Sequence, residues 1–279
     1  MSFEQDTLTL LARAAARRTP PRVRALHLPP ARADDALAGA WCTLELEDGT
    51  LGLGYLSQGA TLDALRMRAA AVAGADALAL ATGFVATPQA VDSATRTLGF
   101  AAVHALSNWL YQSAGWAPQA ADDSVGGLRP GPREHIGMIG LFGPLVPRLV
   151  ATGARLVVID LRRDLHGERD GALVTGDTTL LADCTQVLAT GTLLLNGTFE
   201  CMRAACGAAR RFVLIGPSAG IVPDALFARG VTELGGAWIT DPAAYLASLA
   251  QGTKPGAAAR KFRLAAADYP GAAALIDRL

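Results

Sequence analysis

The chain has 279 residues, 51% of them apolar, and a formal net charge of zero. This length allows one large buried core or two ordinary ones, and two domains are the starting expectation. Without surplus positive charge, the composition argues against a protein built to bind nucleic acid. The first 19 residues lack the continuous apolar run of a secretory signal. No apolar run reaches the roughly 20 residues of a membrane span. We therefore expect a cytoplasmic protein without nucleic-acid or membrane partners.

The first part of the chain predicts a small α+β unit. Apolar residues at helical spacing and capping residues predict three helices, at Thr7–Arg17, Thr61–Ala73 and Asp92–Gln112. Strand-forming runs occur at Val23–Leu28, Trp41–Glu47 and Leu51–Leu56. Asp48-Gly49 separates the last two runs and is a strong hairpin turn signal.

A loop-like stretch from Trp116 to Pro132, rich in proline, glycine and aspartate, places a domain boundary there. We predict one domain over residues 1–117 and a second over 118–279. In the second, helical segments alternate with six apolar runs, at His135–Leu141, Arg155–Ile159, Leu173–Thr175, Gln186–Ala189, Arg211–Ile215 and Ala237–Thr240. This alternation predicts a mainly parallel sheet with helices on both faces, so the fold class is α/β.

The first apolar run of the second domain breaks into the pattern Gly137-x-x-Gly140-x-x-Gly143, the glycine corner, before a helix predicted at Leu145–Thr152. Glycines let a ligand approach the backbone, and helix N-terminal amides hold anions. Asp160 ends the next strand, 23 residues after Gly137, where an acid that binds ribose would lie. The spacing differs from G-x-G-x-x-G, and glycines also serve packing. We predict a ligand at this corner, with Phe142 among its contacts.

Polar and glycine-rich segments follow two further strands. Thr190 closes one strand, and Asn196 and Thr198 lie just beyond it, before a helix that starts at Phe199. After the next strand comes Gly216-Pro217-Ser218, whose amides and hydroxyl suit a carboxylate or phosphate. Because the carboxyl ends of parallel strands share one edge of a sheet, we predict that these residues line one crevice. Helix capping explains Asn196 and Thr198 equally well.

Asn108 lies in the last helix of the first domain and would reach the ligand if that helix borders the crevice. The catalytic candidates are Asp160 and His135, since the sequence offers no other convincing nucleophile or base. Metal ligands remain unknown, because neither the histidine nor the cysteine spacing forms a metal motif. We expect the four cysteines to be reduced thiols; they are Cys42, Cys184, Cys201 and Cys206.

These segments resemble a bacterial and archaeal family described as "putative heavy-metal chelation", a domain of unknown function. The matching pieces are Gly137–Pro147, Val158–Asp160, Asn196–Thr198, Leu214–Phe227, Gly235–Asp241 and Ser107-Asn108. The resemblance implies a first domain like the N-terminal domain of enolase, a Rossmann-like second domain, and a site in the cleft between them.

The sequence therefore predicts a homodimer that binds a small anionic or metal-chelating molecule in the interdomain cleft. A biosynthetic or tailoring step in metal-chelator metabolism would suit such a site. Two alternatives stay open: an enzyme that uses NAD or S-adenosylmethionine at the glycine corner, and a non-catalytic protein that binds heavy metal. The cofactor is correspondingly open, with a metal ion and a nucleotide-type cofactor as the candidates.

Overall fold

The computed structural model describes residues 1–30, 40–56, 59–86, 91–121, 127–128 and 130–279. The helices are α1 Phe3–Arg17, α2 Gly59–Val72, α3 Ala77–Val85, α4 Ser93–Ser113, α5 Val146–Val150, α6 Thr192–Asn196, α7 Phe199–Ala205, α8 Asp224–Phe227, α9 Pro242–Gln251 and α10 Ala272–Ile276. The strands are β1 Val23–His27, β2 Trp41–Leu46, β3 Leu51–Tyr55, β4 Gln119–Ala120, β5 His135–Ile139, β6 Arg155–Ile159, β7 Gly167–Arg169, β8 Ala172–Thr175, β9 Gln186–Thr190, β10 Arg211–Ile215, β11 Glu233–Ile239 and β12 Ala259–Ala265.

The first sheet is small and antiparallel, in the order β1-β2-β3. Helix α4 packs against it and is buried along nearly its whole length, including polar side chains such as Ser107 and Asn108 that hydrogen-bond within the protein. Glycine makes this packing possible, because a Cβ at Gly52 of β3 would lie 2.2 Å from the carbonyl oxygen of Ala101 in α4. Asp92 caps the helix by accepting a hydrogen bond from the amide of Thr95 at 2.8 Å.

The second sheet has nine strands in the order β4-β12-β11-β10-β9-β5-β6-β8-β7. The six central strands, from β11 to β8, are parallel, and β4, β12 and β7 pair antiparallel at the edges. Among the parallel strands, the chain starts in the middle at β5, runs out through β6 to β8, then returns to β9 and continues to β11. Loops at the carboxyl ends of β5 and β9 therefore diverge to opposite faces, which opens a crevice at that edge.

Both faces of the large sheet are covered. Leu145, Val146 and Leu149 of the α5 segment pack on one face. On the other face, α6 and α7 join a core that also contains α1, α3 and α4. The two sequence regions thus share one continuous core. Polar contacts cross between them as well, since the Ser107 hydroxyl accepts from the amide of Val222 at 3.0 Å and Tyr111 donates to the Ile221 carbonyl at 3.1 Å.

The predicted fold class is confirmed: a small antiparallel sheet with helices precedes a large, mostly parallel sheet flanked by helices. The sequence prediction missed α3 and β12, and it began β11 four residues late. Part of the predicted interdomain loop, residues 122–126 and 129, lies outside the described residues. Within the described ranges, no helix is both long and apolar enough to cross a membrane.

Candidate functional site

A cavity of about 460 Å³, here called the main cavity, lies at the carboxyl edge of the large sheet. The loop after β5 forms one wall through Phe142 and Leu145, and the loop after β10 contributes Gly216 and Pro217. The floor is one face of β10, β11 and β12. Because β11 runs beyond the end of β10, this floor extends past the sheet edge, beside the predicted glycine corner.

Strand register determines which side chains reach the floor. Gly235 pairs with Arg263 and Ala237 with Lys261, and in antiparallel partners paired residues point to the same face. Glu233 lies two residues before Gly235 and so shares that face. Small residues at 235 and 237 keep the floor open between the charged side chains. The cavity is therefore an apolar trough with ionic groups along its edge.

The charged residues whose side chains share the cavity face are Lys261, Arg263 and one acid, Glu233. Arg260 also lines the cavity, but it pairs with Trp238 on the other face of β12, and its Nη2 donates to the carbonyl of Pro118 at 2.8 Å. Glu233 is only 1% exposed. Its Oε2 accepts from Arg263 at 2.7 Å and from Arg211 at 3.3 Å. Its Oε1 is buried and has no hydrogen-bond partner among the described residues. A buried carboxylate with one unsatisfied oxygen is unusual in a folded protein. This oxygen has almost no accessible surface, so it does not open onto the cavity.

A second cavity of about 410 Å³, the cleft cavity, lies between the two sequence regions. Trp41 and Leu53 line it from the first region, and Tyr245 and Lys254 from the second. The chain contains only two lysines, Lys254 and Lys261, and each lines one of these cavities. The cleft cavity adjoins the main cavity, since both share the lining residues Pro217, Ala237, Pro255 and Ala259.

At the glycine corner, Gly140 follows β5 directly and has a φ of +82°, a conformation that favours glycine. A Cβ at Gly140 would also lie 2.9 Å from the Thr190 methyl, so the chain just after β5 passes close to the last residue of β9. The amide of Gly140 donates to the carbonyl of Ile159 at 2.8 Å, and the amide of Leu141 donates to Asp160 at 2.9 Å. These two amides thus already have hydrogen-bond partners within the protein.

The helix predicted at residues 145–152 is instead a short 3-10 turn, with Gly143 as its first residue, followed by α5.

Asp160 follows β6 beside the glycine corner, as predicted. Its side chain is 11% exposed, and it organises the loops around it. Oδ2 accepts from Leu141, and Oδ1 accepts from the amide of Arg162 at 2.9 Å. The guanidinium of Arg162 lies 3.6 Å from the same carboxylate. Asp160 therefore holds the loop that carries Phe142 into the cavity wall.

Several predicted residues lie elsewhere. His135 begins β5 at the amino edge of the sheet, so the structure does not bring it together with Asp160. Burial and the nearby Arg155 lower the pKa of His135. Gly137 lies inside β5, where a Cβ would lie 2.7 Å from Leu181, so it is a packing glycine. Ser218 follows β10 but is 2% exposed.

Asn108 is also placed away from the glycine corner. Its Nδ2 donates to the carbonyl of Leu51 at 2.8 Å, which ties α4 to β3. Asn196 and Thr198 form a local turn, in which Asn196 Oδ1 accepts from the Thr198 amide at 3.0 Å. Asn196 lines a third cavity of about 250 Å³ beside Arg96. The residues that we predicted to line a single crevice thus lie in several different places.

Sequence reasoning missed the charged lining of the main cavity. The missed residues lie on β12 and at the start of β11, outside the predicted strands; they are Arg260, Lys261, Arg263 and Glu233. A signal for β12 was present, because buried Phe262 and Leu264 alternate with exposed Lys261 and Arg263. Such alternation is typical of a strand with one buried face.

The donor groups of the described residues do not fit a metal held by protein alone. No group of three or more His, Cys, Asp or Glu side chains in the described ranges lies close enough to bind one ion. Burial raises the pKa of Cys42 and of Cys206 to about 12, and that of Cys184 to about 11. Thiols with such pKa values stay protonated at neutral pH and are poor metal ligands.

The fold and the cavities define a mixed α/β protein that has an apolar trough, edged by charged side chains, at the carboxyl ends of its parallel strands. The chain belongs to the DUF364 family, which is described as "Putative heavy-metal chelation" and whose model matches residues 126–268. This confirms the family resemblance predicted from the sequence.

Two solved structures have the same fold, and both are of DUF364 proteins of unknown function. The structure from Desulfitobacterium hafniense is 17% identical in sequence, with a TM-score of 0.67. The alignment covers 94% of this chain and 98% of that one. The one from Pyrococcus horikoshii is 19% identical, with the same two coverages and a TM-score of 0.63. No curated protein matches the chain.

Proposed function

We propose that the protein binds a small anionic or metal-chelating molecule in the main cavity and the adjoining cleft cavity. The observation that carries this proposal is the lining of the main cavity, where the cationic side chains of Lys261 and Arg263 edge an apolar trough. Its volume of about 460 Å³ suits a small organic ligand. The family description favours a ligand connected with heavy metals.

The chemistry of the lining favours a chelated metal over a bare ion. Cationic side chains repel a free metal cation and attract the carboxylates of a chelator. The cysteines do not supply an alternative site, because burial raises the pKa of three of them. In this proposal any metal arrives as cargo of the bound molecule, and the protein contacts the organic part.

The same cavity suits a biosynthetic or tailoring enzyme of metal-chelator metabolism. A molecule transformed there would meet Lys261 and Arg263, and Arg263 pairs with the buried carboxylate of Glu233 at 2.7 Å. His135 begins β5 at the amino edge of the sheet and would not take part. Asp160 would act through the loop that it holds, since both of its oxygens accept backbone amides.

A nucleotide-type cofactor, NAD or S-adenosylmethionine, is the second candidate. One observation favours it: the six parallel strands run in the order β8-β6-β5-β9-β10-β11, which numbered along the chain is the 3-2-1-4-5-6 order of dinucleotide-binding domains. On this basis we interpret the second domain as Rossmann-like. The likeness of the first domain, residues 1–117, to the enolase N-terminal domain stays a prediction from the family resemblance. The amides of Gly140 and Leu141 already donate hydrogen bonds within the protein, so they are not free to hold the phosphates of a nucleotide. This favours the chelator over the nucleotide.

Thermal-shift measurements with citrate, nickel citrate, NAD and S-adenosylmethionine test the proposal. Ala237 lines both cavities, so Ala237→Trp should place an indole ring where they adjoin and obstruct ligand binding. Ala244→Trp is the matched control, because Ala244 is exposed on α9 and lines neither cavity. We expect citrate or nickel citrate to raise the Tm of the wild type and the control but not of Ala237→Trp.

A shift with NAD or S-adenosylmethionine instead would favour the second candidate. A citrate shift that persists in Ala237→Trp would overturn the location, and no shift with any probe would overturn the proposal. The expected homodimer is a separate prediction, which sedimentation equilibrium of the full chain would test.

A further inference from the structure

We propose that the ligand is a dicarboxylate that spans both cavities, with one carboxylate paired with Lys261 in the main cavity and the other with Lys254 in the cleft cavity. This inference rests on the proposed function and narrows it to one ligand class. The two lysines set the ends of the ligand, and the wall that the cavities share sets its middle.

The first anchor is Lys261. It pairs with Ala237 in the register of β11 and β12 and lines the main cavity. Arg263, the other cation on this face, already pairs with the carboxylate of Glu233 at 2.7 Å. Lys261 makes no ion pair with any residue that the structure describes, and its side chain is exposed. Its ammonium is therefore available to a ligand anion.

The second anchor is Lys254. All other described residues that line the cleft cavity are uncharged, so its ammonium is the charge that this lining offers a ligand. Within the described part of the chain, Lys254 also lacks an ion-pair partner. The cavity walls are largely apolar, and walls of low dielectric strengthen the attraction between an ammonium and an anion beside them.

The wall that the two cavities share separates the two lysines. Lys261 lies two residues beyond Ala259 on β12, a backbone distance of about 7 Å. On the other side, Lys254 directly precedes Pro255. The shared lining has only apolar side chains, from Pro217, Ala237, Pro255 and Ala259. A ligand that fits all three parts has an anionic group at each end of an apolar chain.

The charge at each anchor favours carboxylates as the anionic groups. One lysine supplies one positive charge, which matches a carboxylate, whereas a phosphate carries about two negative charges near neutral pH. Phosphate sites also use free backbone amides, and the amides of Gly140 and Leu141 already have partners. Carboxylate oxygens bind divalent metals, so a dicarboxylate agrees with the proposed function.

Isothermal titration calorimetry with three pairs of probes tests the inference. Each pair combines a diacid with the monoacid of the same chain length: adipate with hexanoate, suberate with octanoate, and sebacate with decanoate. We expect at least one diacid to bind one molecule per chain, about fivefold more tightly than its monoacid. The monoacid is the more apolar probe, so burial alone would give the opposite preference.

Lysine variants identify the two anchors. Lys254→Met and Lys261→Met should each reduce the preference for that diacid to within about twofold, because each leaves one carboxylate unpaired. Lys254→Arg and Lys261→Arg keep the charge and should keep most of the preference. Arg278→Met, a change at an exposed cation that lines neither cavity, is the matched control and should bind as the wild type does. All three side chains are exposed, so these variants should fold.

Monoacids that bind as tightly as their diacids in all three pairs would overturn the inference and leave the proposed function standing, because one anionic group would then suffice. Two diacid molecules per chain would also overturn it, as would a preference that survives in either methionine variant. If no probe binds, the inference fails; the citrate experiment with Ala237→Trp then decides whether the proposed function fails with it.

Discussion

The carboxylate of Asp160 accepts a hydrogen bond from the backbone amide of Leu141 at 2.9 Å. This bond joins the loop after β6 to the loop after β5. The next residue, Phe142, lines the main cavity, so Asp160 helps to shape that wall without lining the cavity itself. The acid that the sequence suggested as a ligand-binding residue thus has a positioning role in the loop.

Replacing Asp160 should destabilise the fold modestly. Asp160→Ala removes the acceptor of two amides, those of Leu141 and Arg162. Because the loops are partly exposed, we expect the free energy of unfolding in urea to fall by about 1–2 kcal/mol. Asp164→Ala, a change at an exposed neighbour, is the control and should have little effect. Equal stability of the two variants would contradict the positioning role.

The central strands could be predicted from the sequence almost to the residue. β5, β6, β9 and β10 are short apolar runs buried on both faces, and such runs have few alternatives. Helix α3 was not predicted. Its sequence from Ala77 is rich in alanine and shows little periodic alternation of apolar and polar residues, although Asp76 caps it. The more deeply an element is buried, the more clearly its apolar sequence pattern predicted it.

The candidate site was only partly predictable for the same reason. Phe142, Gly216 and Pro217 follow strongly apolar strands and do line the main cavity. Its charged residues lie mostly on β12, a strand with alternating exposed side chains that pairs antiparallel with β11. Their approach to the glycine corner depends on the register of that pairing, which no local pattern in the sequence specifies.

Arg96 connects the two sequence regions and should be critical for stability. It is 5% exposed and donates to the carbonyls of Leu195 at 2.5 Å and of Phe84 at 2.6 Å. Arg96→Met leaves these acceptors unpaired, so we expect a loss of about 3 kcal/mol in urea unfolding. Arg13→Met, at an exposed position on α1, is the matched control. A loss as small as that of the control would show that Arg96 does not join the two regions.

Stability should depend on pH through His104. Burial lowers its pKa from the ordinary 6.5 to about 4, and its Nδ1 accepts a hydrogen bond from the amide of Leu53 at 2.9 Å. As pH falls below the ordinary value, the unfolded chain takes up the proton first, so the folded state loses stability until the pH reaches the folded pKa. Between about pH 7.5 and about pH 5, we expect this group to cost about 2 kcal/mol.

Urea unfolding at both pH values measures this effect. His104→Gln should flatten the pH dependence by that amount, whereas His166→Gln, at an exposed position, should leave it as in the wild type. His135 contributes in the same direction in all three proteins, because its pKa is also lowered. An unchanged slope in His104→Gln would contradict the assignment.

The cysteines should differ sharply in reactivity. Cys201 is exposed, whereas Cys42, Cys184 and Cys206 are buried with raised pKa values. Titration of the folded protein with a chromogenic disulfide reagent should label one thiol quickly, and denaturant should release the other three. Cys201→Ser should abolish the fast phase. Rapid labelling of a second thiol in the folded protein would contradict the burial of these three residues.

Native mass spectrometry of the purified wild type and Ala237→Trp, with metal analysis of the same samples, tests the central claim most directly. We expect the wild type to carry a small organic molecule, with or without metal, and Ala237→Trp to lack it, because the indole obstructs the place where the two cavities adjoin. Stoichiometric metal without any organic mass, or an organic mass retained equally by Ala237→Trp, would contradict the claim that these cavities hold the ligand.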